Sequence, residues 1–158
     1  MSNSNLVTVT QISPNKNSPR NHAIDRITIH CFVGQVTAKR GCDVFKPSSK
    51  KASCNYVVGY DGSIGLCVEE KDRSWCSSSS ANDARAVTIE VASDTTHPYK
   101  VTDQAYSGLL DLVTDICKRN GKIKILWFWD KNKTLAYTPK ANEMVMTVHR
   151  WFANKACP

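Results

Sequence analysis

The chain has 158 residues, 41% of them hydrophobic and 22% charged, which is the length and balance of one globular domain with a real core and one active site. No apolar run approaches the roughly 20 residues of a membrane span, and residues 1–20 lack the basic start and apolar stretch of a secretory signal, so synthesis in the cytoplasm is expected. The net charge of +7 favours any polyanion without naming one, and the odd count of seven cysteines at irregular spacing argues for reduced thiols rather than a disulfide framework.

In chain order, residues 1–22 are polar, punctuated by Pro14 and Pro19, and read as an arm wrapped on the domain. Its alternating stretch 6–12 is suited to pairing at a sheet edge. Residues 23–31 (AIDRITIHC) have the β-branched content of a strand, with Ile27 and Ile29 on one face and Thr28 and His30 on the other. Residues 54–68 form the clearest hairpin, two strand-like runs around Tyr60-Asp61-Gly62-Ser63, where Asp-Gly supplies the positive φ of a tight turn. Residues 77–83 read as a polar loop and 86–92 (AVTIEVA) as a buried strand with one acidic exception, Glu90.

Over residues 102–120 the apolar positions Tyr106, Leu109, Leu110, Val113, Ile116 and Cys117 recur at three- and four-residue steps. Thr102 is the natural N-cap, and Gly121 the stop, of a helix. A strand over 123–129, a polar connection and a strand-like run over 144–150 complete the chain. Strands interleaved with helices predict a single α/β domain, a central mixed β-sheet flanked by α-helices.

His30, His149 and Cys157 offer two imidazoles and a thiolate, three ligands that leave the fourth tetrahedral position of a catalytic zinc open to water. The same residues also read as two ordinary strand-end histidines and an incidental thiol. Glu90 lies in an otherwise apolar strand, where a carboxylate needs either a function or a salt bridge, with Arg85 or Arg73 as partner. Trp127, Trp129, Trp151 and Phe152 read as core residues, and only Trp75, beside the serine run, reads as a groove residue. No local signature of a cysteine protease is present.

The tail VHRWFANKACP resembles the C-terminal metal-binding motif of the type 2 N-acetylmuramoyl-L-alanine amidases, a family shared by phage lysins and peptidoglycan recognition proteins. In the same order, RITIHCF resembles that family's first metal-ligand strand, NYVVGYDGSI its hairpin and AVTIEVA the strand that follows. The likeness is strongest to the amidase domains of clostridial phage and prophage lysins. It implies that His30, His149 and Cys157 bind one Zn²⁺, that Lys155 is the transition-state lysine and that Glu90 is the general base. Cys54 stands where some members have a catalytic tyrosine, which shifts the burden to Glu90 and leaves Tyr56 as a packing residue.

The activity implied is zinc-dependent hydrolysis of the amide between the lactyl group of N-acetylmuramic acid and the L-alanine of the stem peptide, as in an endolysin or autolysin. Asn55 and Trp75 are the candidate substrate contacts. The partner expected is bacterial peptidoglycan, with anionic wall polymers attracted by the positive charge. Nucleic acid and membrane are not expected as partners, and the protein is expected to be a monomer that acts on the wall after release. The resemblance further implies that residues 1–158 form the catalytic domain of a chain truncated before wall-binding modules. A peptidoglycan-binding module without catalysis is the alternative.

Overall fold

Parallel strands buried on both faces organise the molecule, for which a computed structural model describes residues 2–157. The strands are β1 (Val9–Thr10), β2 (Lys16–Asn17), β3 (Arg26–Cys31), β4 (Tyr56–Val58), β5 (Ile64–Leu66), β6 (Arg73–Ser74), β7 (Ala86–Val91), β8 (Lys124–Leu126) and β9 (Glu143–Val148). Seven of them form one sheet in the order β1-β5-β4-β7-β3-β9-β8, while β2 and β6 pair separately. Only the β4–β5 hairpin is antiparallel within the large sheet, which is therefore mixed, as expected. Among the described residues, no helix is long and apolar enough to cross a membrane.

The two faces of the sheet differ in chemistry because side chains alternate along each strand. Ile27, Tyr56, Val58, Val87, Ile89 and Val91 pack against the helix α3 (Asp103–Arg119) through Ala105, Leu112, Val113 and Ile116. Thr102 caps this helix by accepting a hydrogen bond from the amide of Ala105, and Gly121 follows its end at φ +66°, both as the sequence predicts. The turn of the hairpin fits tightly against α3. Gly62 has φ +79°, and a Cβ on Gly108 would lie 2.8 Å from the Gly62 carbonyl oxygen.

The opposite face carries polar residues in rows set by the parallel register. Thr28 pairs with Thr88 on one side and Thr147 on the other, and His30 pairs with Glu90. Two helices cover this side, α1 (Ala38–Phe45) and α2 (Ser80–Arg85). Asn82 of α2 donates to Thr28 Oγ1 at 2.9 Å and accepts from Thr147 Oγ1 at 3.2 Å, so the row of threonines is satisfied without water. The arm is held by Arg20, whose guanidinium donates to the carbonyls of Glu70, Asp72, Ala84 and Ala86 at 2.6–3.1 Å. Val9 and Thr10 add the edge strand, parallel to β5.

Several local expectations need correction. The polar segment 77–83 is not all loop: Ser79 caps α2 by accepting from the amide of Asn82, and the short polar helix is stabilised by tertiary hydrogen bonds that no periodicity reveals. The strand predicted over 123–129 ends at Leu126, and the connection after it contains the helix α4 (Lys131–Ala136), capped by Asp130. The run 144–150 is a strand only to Val148, after which His149–Trp151 forms a 3₁₀ turn.

Candidate metal centre

The polar rows lead to one end of the sheet, where the parallel strands present their carboxyl ends, the usual place for a site in an open α/β sheet. His30 is the fifth residue of β3, Glu90 is its register partner on β7, and His149 follows the last residue of β9. The chain then turns back so that the Cys157 sulfur accepts a hydrogen bond from the Cys31 amide at 3.1 Å. Residues more than a hundred positions apart thus meet because β3 and β9 are neighbours.

His30, His149 and Cys157 place one ligand atom each within 4.8 Å of one another. The two imidazoles face each other with Nδ1 atoms 3.2 Å apart. Two nitrogens bound tetrahedrally to one zinc at ordinary bond lengths lie about 3.3 Å apart, so the spacing fits that ion. Burial, and then the neighbouring His149, hold the His30 imidazole down at about 3. Burial and the Lys155 cation likewise lower His149, so both rings are neutral at pH 7, the form in which imidazole binds metal. The Cys157 thiol is pushed up to about 12 by burial, only partly opposed by the Cys31 amide, and it would lose its proton to solvent as the thiolate took up a cation.

Among the described residues, Glu90 has no arginine partner. Arg85 instead pairs with Asp25 at 2.5 Å, and the Arg73 guanidinium with Asn17. The Glu90 Oε1 atom lies 3.9 Å from His30 Nδ1 and accepts a long hydrogen bond from the Cys76 thiol at 3.9 Å, while Oε2 is buried with no partner. Burial pushes the carboxyl up to about 8, opposed in part by the Cys76 thiol. A nearby cation would draw it back toward the usual carboxylate range, leaving a base suited to neutral pH.

A cleft of about 450 Å³ opens beside His149, lined by Trp75, Cys76, Ser78, Arg73, Lys51 and Lys155 among others. Lys155 and Trp75, both singled out from the sequence, line this cleft. Asn55 does not. It is fully buried, donates to the carbonyls of Val68 and Glu69 and accepts from the Thr88 amide, so its polar groups brace the sheet and cannot face a substrate. Tyr56 is buried too and donates to Glu70 Oε1 at 2.6 Å, a packing role.

Three residues escaped the sequence reading. Ser78, left-handed at φ +64°, brings Oγ within 3.4 Å of His149 Nε2 and so orients the ring. Asp83 holds the segment in place by accepting from the amides of Cys76 and Ser77 at 2.9–3.2 Å. Cys76, with His30 and Glu90, forms a second group with ligand atoms within 4.8 Å. Nothing in the spacing of seven cysteines distinguishes it.

Known structures share this fold. The chain resembles, in fold, the Ph2119 endolysin from Thermus scotoductus MAT2119 bacteriophage Ph2119 (TM-score 0.62, 13% identity, covering 90% of this chain and 81% of that one). It also resembles the endolysin N-acetylmuramoyl-L-alanine amidase LysCS from Clostridium intestinale URNW (0.61, 15%, 96% and 86%). A third is the Staphylococcus aureus hydrolase AmiA, solved in complex with its ligand (0.60, 16%, 91% and 66%). No curated protein sequence matches. The family profile described as N-acetylmuramoyl-L-alanine amidase spans residues 20–158, from the buried arginine of the arm through all three candidate ligands, and the chain belongs to that family.

Proposed function

We propose that the protein is a zinc-dependent N-acetylmuramoyl-L-alanine amidase of the endolysin or autolysin type, cutting the lactyl–L-alanine amide of bacterial peptidoglycan. The observation that supports this best is the convergence of His30, His149 and Cys157 beside a half-buried Glu90 whose Oε2 has no partner, next to a cleft. His30, His149 and Cys157 hold one ion, and Glu90, Lys155 and Ser78 act around it. A zinc ion bound there would supply a Lewis acid for the amide carbonyl and lower the pKa of the attacking water.

The protein's own groups do the rest. Glu90 takes the proton from the attacking water and returns it to the departing L-alanine amine, a transfer for which its burial fits it. The Lys155 ammonium stabilises the negative charge that develops on the carbonyl oxygen. Ser78 keeps the His149 ring in orientation through Nε2. The cations Lys51, Arg73 and Lys155 give the cleft a charge complementary to the stem-peptide carboxylates, with Trp75 on its wall. The protein acts on the wall as a monomer, and its net positive charge favours anionic wall polymers.

Digestion of purified Gram-positive walls tests the assignment. The expected products are new L-alanine amino termini without new reducing sugars, and Glu90→Gln should release neither. New reducing sugars would make the protein a glycosidase, and wall binding without any product would make it a recognition module.

A further inference from the structure

Trp127, Trp129, Trp151 and Phe152, which the sequence reading assigns to the core, are not buried. Trp127, Phe128 and Trp129 follow β8, and Trp151 ends the 3₁₀ turn that begins at His149. β8 and β9 are parallel neighbours, so both segments emerge at the same end of the sheet as the candidate metal centre. The Trp127 and Trp151 rings stack at 5.0 Å and 5° between planes, and Trp129 meets Trp127 edge-on at 5.4 Å. Trp129 is 85% exposed and has φ +59°. A bulky side chain in the left-handed region costs free energy, and here no burial offsets it. Strain held at an exposed aromatic residue is a sign of function.

A second cleft, of about 670 Å³, is lined by Trp151, Phe152, Leu135 and Lys131, and by Arg26 and Arg85, whose guanidinium groups are engaged by Asn82 and Asp25. It joins the first cleft along a shared rim of Ser78, Ser79 and Ser80, beside His149. An amide cut at this centre has a peptide on one side and a sugar ring, one lactyl group away, on the other. The first cleft is bordered by Lys51, Arg73 and Lys155, which suit a peptide bearing carboxylates. Its Asp83 carboxylate is already engaged by two backbone amides. The second cleft has Trp151 and Phe152 on its wall, and Trp127 and Trp129 extend that aromatic surface beyond the cleft through the stack on Trp151. Flat aromatic faces suit the C–H face of a pyranose, as the electron-rich ring attracts weakly positive hydrogens.

We propose that Trp127, Trp129 and Trp151 form a stacking platform for an N-acetylhexosamine ring of the glycan strand, with the stem peptide leaving by the opposite cleft. The platform rests on the amidase reading for its substrate, but its test does not require cleavage. Isothermal titration calorimetry with the β-1,4-linked tetramer of N-acetylglucosamine should show saturable binding to the parent protein. Binding should be weakened about tenfold by Trp129→Ala and by Trp151→Ala. Trp129→Ala removes an exposed side chain and should leave the unfolding temperature unchanged, so its loss of binding could not be ascribed to misfolding. Equal affinity in parent and variants, or no binding to the parent, would overturn the platform. Binding to phosphatidylglycerol vesicles in place of the tetramer would overturn it too and make the patch a membrane contact. A protein that binds the tetramer but never cleaves walls would sink the amidase reading alone, and an active amidase indifferent to the tetramer would sink the platform alone.

Discussion

At the scale of single residues, the site is governed by what burial does to each titratable group. Among the described residues, Glu90 has no arginine partner and keeps one buried oxygen, Oε2, without a hydrogen bond, beside the candidate ligand His30. Glu90→Gln keeps the shape and removes the base, so the account predicts normal zinc content with turnover lowered at least about a hundredfold. Metal analysis beside wall-digestion kinetics checks it. Ser78→Ala should act differently. It frees one ring nitrogen of His149 and should weaken zinc affinity by about tenfold, as measured by competition with a chelating dye. The remote cysteines should be inert. Cys42 is raised by its hydrogen bond with Cys67 and by burial, and burial pushes Cys54 up to about 12. Iodoacetamide at neutral pH should leave both unmodified in the native protein and alkylate both in the unfolded chain, as read by mass spectrometry.

At the scale of elements, the segment from Cys76 to α2 links sequence to site. Asp83 accepts three backbone hydrogen bonds there, and Asp83→Ala would leave the buried Ser77 amide and its neighbour without partners. A destabilisation of about 2 kcal/mol in urea unfolding of the metal-free protein is expected. This segment also marks the limit of what the sequence reveals. The strands with His30 and Glu90, the Asp-Gly turn and the capped α3 were legible because their signals are local: alternation, turn chemistry, and three- and four-residue periodicity. α2 was not, because its six residues are polar and owe their helix to Thr28, Thr147 and the backbone of 76–77. α1 escaped notice although Thr37 caps it and Ala38, Gly41, Cys42 and Phe45 fill its buried face. Trp129 was misread as core because aromatic content suggests burial and nothing local reveals a strand ending at Leu126.

At the scale of the whole molecule, a core on one face of the sheet supports chemistry on the other. Leu112 is fully buried between α3 and the strands, and Leu112→Ala should cost about 3 kcal/mol without altering the ligand set, as measured by thermal unfolding. The net charge of +7 belongs to this scale as well, and wall lysis should fall as salt rises from low to physiological strength, since surface attraction is screened over about 8–10 Å. The central claim is that residues from the two ends of the fold, His30 near the start and His149 with Cys157 at the close, hold one zinc on which amide cleavage depends. The most direct test is to strip the protein with a chelator, titrate zinc back and follow bound metal and amino-terminus release together, in the parent and in Cys157→Ala. The account predicts one zinc per chain, activity recovered in proportion to it, and loss of both in the variant. Full activity in metal-free protein, or undiminished zinc binding by Cys157→Ala, would contradict it.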